Sequence, residues 1–352
     1  MRPDLLRYSC QMSLPGFSEI SQKKLQDARV LIVGTGGLGC PAAQYLTSAG
    51  VGTIGIADFD TVSVSNLHRQ ILFTPEEVGQ KKALVACEKL QKQNPGVKLV
   101  PHVVKVISDN VMDLLQYYDL VLDGTDNFDA TYLLNDACVL ADKPLVFGAI
   151  YQFEGQVAVW NVPTADGART PNYRDIFPDV DASQVPNCTE GGVIPTLAGM
   201  IGCMQANEAI KYITNTGEVL AGKMLLVDAQ NMQSRIIKIG AVTKTNITSL
   251  PETEFIPTIS APELKAGIEK EAYELVDVRN TAERLMYSIG GTHVPLDKVE
   301  QETSFLNAGK PVVFYCASGK RSAEAVKLVQ RKYPNMEAFS LEGGLKAWMG
   351  QG

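Results

Sequence analysis

Apolar residues fall along this chain in two patterns. Some form compact blocks: residues 28–34 (ARVLIVG) end in glycine, and residues 51–58 (VGTIGIAD) end in aspartate. Lys98–Val104, Leu120–Asp123 and Leu145–Gly148 are three more. Between the blocks, apolar residues recur at helical spacing over Gly39–Ala49, Gln80–Gln93 and Ala130–Ala141. Short apolar blocks signal buried strands and longer periodic stretches signal helices. Their alternation predicts an α/β fold, a mostly parallel sheet with crossover helices. Further on, Gln156–Asn161 reads as an added strand and Thr196–Ile213 as a long apolar helix, with Leu225–Asp228 and Arg235–Ile239 as a late pair of strands.

The pattern stops over residues 240–258, GAVTKTNITSLPETEFIPT, which is rich in Thr and Pro and has no period. Such a stretch predicts a linker. A second alternating unit follows: EAYELVDVR, then VVFYCASGKR, a helix over Ser322–Lys332, and AFSLEGG. The expected division is a first domain over 1–245, a linker over 246–257 and a small α/β domain over 258–352.

Bulk properties narrow the function classes. The 352 residues suffice for two or three domains, and 45% hydrophobic with 20% charged residues is ordinary for a globular chain. A net charge of -7 argues against a general nucleic-acid binder. The N-terminal MRPDLLRYSCQMSLPGF lacks the apolar run of a signal peptide, and no stretch reads as a membrane span, so a cytoplasmic location is expected. Seven cysteines, with no CxxC pair, argue against a disulfide framework. Cys40, Cys87, Cys138 and Cys203 lie in apolar, helix-like stretches and are expected to be small buried hydrophobes.

Candidate chemistry begins at Gly34-Thr-Gly36-Gly37-Leu-Gly39, which follows a strand and opens a helix. Glycines there permit a tight turn and close approach of backbone to phosphate, and the helix N-terminus offers free amides to an anion. Asp58 ends the next strand, where it can accept from ribose hydroxyls. On these residues alone a nicotinamide dehydrogenase is the leading reading. Three further segments shift it. Asn66-Leu-His-Arg69-Gln70 brings an arginine near the phosphates, Lys82 starts a helix with a second positive charge, and Asp123-Gly-Thr-Asp126-Asn127 ends a strand with a carboxylate suited to Mg²⁺. Phosphoryl transfer needs such cations, and hydride transfer does not.

Together these motifs resemble the ubiquitin-activating-enzyme-like family that adenylates sulfur carriers, which includes the molybdopterin-synthase and thiamine-pathway adenylyltransferases. The resemblance spans about residues 4–240. It implies a Rossmann-like adenylation domain, ATP and Mg²⁺ as cofactors, and a homodimer. It further implies that Gly34, Gly36, Gly37, Gly39, Asn127 and Gln70 line the nucleotide, with Asp58 on the ribose. Asn66, Arg69 and Lys82 would bind the phosphates and Asp126 the magnesium. The substrate would be a small ubiquitin-fold protein ending in Gly-Gly. Cys188, in Asn187-Cys188-Thr-Glu-Gly191-Gly192, matches the cysteine that in some relatives joins the carrier or resolves a persulfide.

Cys316-Ala-Ser-Gly-Lys-Arg321-Ser322 lies between a strand and a helix. A loop wrapped around a thiol at a helix N-terminus presents amides, and the helix dipole with Lys320 and Arg321 favours a thiolate or persulfide anion. A phosphatase nucleophile would look similar; the six-residue span from Cys316 to Arg321 gives a tight cradle that suits sulfane sulfur. With Asp277-Val-Arg279, Glu283, Gly291-Thr-His293-Val-Pro295 and Glu342-Gly-Gly344…Trp348, the segment resembles rhodanese domains over about residues 258–350. The two resemblances together imply adenylation of a carrier's C-terminus followed by sulfur transfer from a Cys316 persulfide. The sulfur donor, thiosulfate or a cysteine desulfurase, stays open, as does the pathway.

The chain departs from the first family twice. Relatives carry Arg-Tyr-x-Arg-Gln near the N-terminus, whereas this chain reads Arg7-Tyr8-Ser9-Cys10-Gln11. Losing a cation that meets transition-state charge costs on the order of a thousandfold, so a carrier-binding scaffold with weak adenylation is the alternative reading. Many relatives also hold zinc with two CxxC pairs. Here the first position reads Asn172 and Asp175, the second region, sought near Ala229–Ser234, has no cysteine, and His68, His102 and His293 are scattered. No structural zinc is expected.

Overall fold

A computed structural model of the chain describes residues 3–178, 192–251, 256–302 and 309–350. The chain forms two compact units, Met1–Thr253 and Glu254–Gly352.

The first unit is built on one eight-stranded sheet. Its strands are β1 (Arg29–Val33), β2 (Thr53–Ala57), β3 (Lys98–His102), β4 (Leu120–Asp123), β5 (Leu145–Tyr151), β6 (Glu154–Trp160), β7 (Lys223–Asp228) and β8 (Gln233–Lys238). Their order is β3-β2-β1-β4-β5-β6-β7-β8. The first five pair in parallel, and the last three join antiparallel. The apolar blocks of the sequence have no polar face because both sides of the parallel part are covered. Val30, Ile32, Ile54 and Ile56 face α3 (Gly39–Ala49), α4 (Lys82–Gln93) and α7 (Pro195–Thr214). Leu31, Val33 and Val121 face α5 (Ser108–Leu115) and α6 (Phe128–Leu140). The short α1 (Ser9–Met12) and α2 (Glu19–Asp27) precede β1.

The strand order reverses between β1 and β4, with β2 and β3 on one side and β5 on the other, so the carboxyl ends of these two parallel strands open a crevice. Gly34 and Gly124 stand immediately beyond those two strands. Every strand read from the sequence in this unit is present. The block at Lys98–Val104 stops at His102, and the helix read from Gln80 starts at Lys82.

The second unit holds a five-stranded, all-parallel sheet in the order β11-β10-β12-β13-β9. The strands are β9 (Thr258–Ile259), β10 (Glu274–Asp277), β11 (Thr292–His293), β12 (Val312–Tyr315) and β13 (Ala338–Leu341). Helices α8 (Ala261–Ile268), α9 (Thr281–Met286), α10 (Lys320–Lys332) and α11 (Gly344–Trp348) complete it. Val276, Val312 and Phe314 pack on one face of the sheet, and Leu275, Val313 and Tyr315 on the other. Among the described residues no helix is long and apolar enough to cross a membrane.

Candidate functional site

The glycine turn after β1 is packed backbone against backbone. Gly34 has φ +87°, which favours glycine, and donates its N–H to Ala57 O at 2.8 Å. A Cβ on Gly39 would lie 2.0 Å from Gly34 O, and one on Gly124 would lie 2.5 Å from the same oxygen. These three glycines bring the ends of β1 and β4 and the start of α3 into contact. Gly36 differs: a Cβ there meets nothing nearer than 3.7 Å. Gly37 lies under Arg69, whose Cγ and Cδ would be 3.6 Å from an added Cβ. No side chain caps α3; within its first turn the Cys40 N–H donates to Gly36 O at 3.1 Å and Pro41 carries no N–H, so the glycine turn itself supplies most of the backbone facing the crevice.

Asp58 stands just beyond β2. Its Oδ2 accepts the Thr35 N–H at 2.8 Å and its Oδ1 accepts the Asp60 N–H at 2.9 Å. Burial pushes this carboxyl up, against the pull of Lys82 and the two amides. Lys82, almost fully buried, extends its ammonium to Asp60 Oδ2 at 3.2 Å. Asp60 therefore ties the Asp58 carboxylate to the Lys82 ammonium. Asn66 ends a short 3₁₀ turn, and its carbonyl accepts the N–H groups of Arg69 and Gln70. Arg69 is half-buried and reaches Ser65 O at 3.4 Å.

At the end of β4, the fully buried Asp123 accepts from the Thr125 N–H and O–H at 2.9 and 2.6 Å and from the Thr131 O–H at 2.8 Å. That knot holds the turn that leads to Asp126, an exposed carboxylate, and Asn127, which caps α6 by accepting the Ala130 N–H. The residues named from the sequence thus meet at one end of the sheet: Gly34, Gly36, Gly37, Gly39, Asp58, Arg69, Gln70 and Lys82, with Asp126 and Asn127 at the start of α6. Two buried polar atoms there, Thr35 Oγ1 and Gln70 Oε1, have no hydrogen-bond partner among the described residues. Buried orphans of this kind suit a polar ligand in the crevice, so the site fits a nucleotide. Asp60 and Thr35 went unread in the sequence, although the Asp58-Phe-Asp60 spacing puts both carboxylates within reach of one lysine.

Cys10 is exposed on α1. Its neighbour Arg7 donates to Gln93 O at 3.1 Å. Cys188 lies outside the described residues. Cys40, Cys87 and Cys138 are buried as expected, while Cys203 is only partly so. Asn172 and Asp175 face Thr243 and Thr245, and not Ala229–Ser234 as read from the sequence. Asn172 Nδ2 donates to both threonine hydroxyls, at 2.8 and 2.6 Å, and Asp175 accepts from the Thr243 O–H and from the amides of Lys244 and Thr245.

In the second unit the carboxyl ends of β10 and β12 lie side by side. Cys316 follows β12 with 1% exposure, and its Sγ accepts the Gly319 N–H at 3.2 Å. The loop closes on Gly319 (φ +90°), which caps α10. Gly344 presses against it from α11, where a Cβ would lie 2.5 Å from Cys316 O and 2.6 Å from Gly319 N. Leu345 and Lys346 donate their N–H groups to Cys316 O and Ala317 O. Arg321 binds both oxygens of Glu283, at 2.8 and 2.7 Å, and that guanidinium holds the glutamate carboxyl below its ordinary value. Asp277, buried beneath, receives Arg279 Nε and Nη2 at 2.9 and 2.6 Å. Lys320 is exposed.

The profile of the ThiF family matches residues 8–248, and that of the rhodanese-like domain matches residues 260–351. A probable adenylyltransferase/sulfurtransferase, MoeZ of Mycobacterium tuberculosis, is 39% identical across 99% of this chain and 94% of its own length. The sulfur carrier protein adenylyltransferase of Thermus thermophilus is 49% identical over 65% of this chain and 84% of its own. The crystal structure of E. coli MccB shares the fold of the first unit, with a TM-score of 0.61 at 21% identity over 72% of this chain and 75% of that one. The nucleotide crevice and the cysteine cradle therefore belong to an enzyme, an adenylyltransferase and sulfurtransferase, and the chain is a member of the ThiF family with a rhodanese-like domain at its C-terminal side.

Proposed function

We propose that the protein adenylates the C-terminal glycine of a small ubiquitin-fold sulfur carrier and then converts it to a thiocarboxylate. The carrier carboxylate attacks the α-phosphorus of ATP, the bond to the β-phosphate oxygen breaks, and pyrophosphate leaves with the electron pair. Asp58 accepts from the ribose, the amides of the glycine turn take phosphate oxygens, and Asn66, Arg69 and Lys82 offset their charge. Gln70 and Asn127 line the same crevice. Asp126 would hold Mg²⁺, which supplies further neutralisation of phosphate charge when bound.

Cys316, loaded with sulfane sulfur by thiosulfate or a cysteine desulfurase, supplies the second step. Its terminal sulfur attacks the acyl carbon, the carbon–oxygen bond to AMP breaks, and AMP leaves. Cys188 then attacks Cys316 Sγ. The sulfur–sulfur bond breaks, the thiocarboxylate departs, and the Cys188–Cys316 disulfide is reduced by an external thiol. The adenylating part is assigned to 1–245, the link to 246–257 and the persulfide part to 258–352, in a cytoplasmic homodimer.

The observation that carries this reading is the buried Lys82 ammonium paired with Asp60, whose N–H holds the Asp58 carboxylate, at the same crevice as Arg69. The test is pyrophosphate release from Mg-ATP with and without Gly-Gly-tailed carriers, with Asp126→Ala as control. Carrier-dependent release that the control loses is the expected result. Exposed Cys10, where relatives hold an arginine, favours a second reading: a carrier-binding scaffold whose sulfurtransferase works while adenylation is weak. Sulfur transfer without pyrophosphate release from ATP-binding protein would select that reading.

A further inference from the structure

Behind the Cys316 sulfur lies a buried pair of hydroxyls that the scheme above leaves unused. Ser322, fully buried, places its Oγ 3.6 Å from Cys316 Sγ and 3.0 Å from Gly319 O. Ser340, on β13 and 2% exposed, places its Oγ 2.8 Å from Ser322 Oγ and 3.3 Å from Gly319 O. Gly319 O also accepts the Ala323 N–H of α10 at 3.0 Å, so it has one lone pair left for a hydroxyl.

Two hydroxyl protons therefore serve Gly319 O, the sulfur and one serine oxygen. A protonated thiol can donate to Ser322 Oγ, and Ser322 can donate to Gly319 O. A thiolate only accepts, so the Ser322 proton is needed at sulfur. Ser340 is placed to take over Gly319 O or to donate into Ser322 Oγ, which strengthens the bond from Ser322 to sulfur.

We propose that Ser340 is a positioning residue for sulfur transfer: it frees the Ser322 proton to turn toward Cys316 Sγ when that sulfur is ionised. The thiol proton leaves to water, and no other bond is made or broken. The proposal rests on the reading of Cys316 as the sulfur-bearing nucleophile.

The experiment measures iodoacetamide modification of Cys316 in the full-length chain at neutral pH, read on the Cys316 peptide by mass spectrometry. Ser340→Ala should slow modification about five-fold, the worth of one hydrogen bond. Ser322→Ala should slow it at least as much, and the double variant should be no slower than Ser322→Ala alone, since Ser340 acts through Ser322. Carrier-dependent pyrophosphate release and the thermal midpoint of Ser340→Ala should match the unchanged chain. An unaltered modification rate in Ser340→Ala, additive losses in the double variant, or no modification of Cys316 in the unchanged chain would each overturn the proposal. Failure of the nucleophile reading is separately visible, as sulfur transfer that survives Cys316→Ala.

Discussion

The ammonium of Lys82 and the carboxylate of Asp60, 3.2 Å apart, form an ion pair of unequal exposure: the lysine side chain is 5% exposed and the aspartate side chain 52%. Removing one partner is therefore not equivalent to removing the other. Lys82→Met keeps the buried stem, deletes the charge and leaves a carboxylate that water already reaches. It also removes the cation that offsets the burial of the Asp58 carboxyl, so its stability to urea should fall by about 1–3 kcal/mol. Its carrier-dependent pyrophosphate release should fall about a hundredfold or more. Asp60→Asn removes a half-exposed carboxylate and leaves Asp58 as counter-charge for the ammonium, so it should be the more stable variant, within about 1 kcal/mol of the parent.

The glycines of the nucleotide turn divide into two kinds, and alanine substitution should separate them. At Gly39 a Cβ would sit 2.0 Å from the Gly34 carbonyl, so backbone must move; Gly39→Ala should cost about 3 kcal/mol in urea unfolding. At Gly36 the nearest atom is 3.7 Å away, so Gly36→Ala should fold normally. Its methyl would stand where phosphate approaches, and the expected effect is a raised KM for ATP at unchanged thermal midpoint.

Glu283 gives the second unit a pH dependence. The hydrogen bonds from Arg321 are the largest influence on its carboxyl and hold it below the ordinary value of 4.5. A depressed carboxyl stabilises the fold above its unfolded value and loses that contribution as pH falls through the folded value. Unfolding midpoints followed from pH 6 downward should thus decline below about pH 4.5, and Glu283→Gln should flatten that decline. Parallel curves for parent and variant would show that the pair adds nothing.

Much of the nucleotide crevice was legible because its parts are local. A strand, a glycine turn and a helix N-terminus are consecutive in sequence, and the Asp58 and Asp126 positions follow from the next strand ends. Cys316 with its loop was legible for the same reason. What escaped the sequence depends on contacts between distant segments. Ser340 reaches Ser322, and through it the sulfur, because β13 lies beside β12. Thr243 and Thr245 meet Asn172 and Asp175 across some seventy residues. The cysteine spacing pointed instead to Ala229–Ser234, which spans the connection between β7 and β8 and the first two residues of β8. Helices α2 and α5 were also missed, because their polar faces break the apolar pattern.

The strand order of the second unit constrains how it is made. Among the described residues its first strand, β9, pairs only with its last, β13, through Leu341 against Ile259, and the Glu342 N–H donates to Ile259 O. Leu345 of the following helix closes the loop that carries Cys316. A ribosome thus delivers the opening strand of this sheet long before its partner exists, and closure waits for about eighty residues of intervening chain. The thiol cradle cannot form piecemeal during synthesis: a growing chain halted before Leu341 would hold Cys316 in an unfinished sheet with two strand edges unpaired.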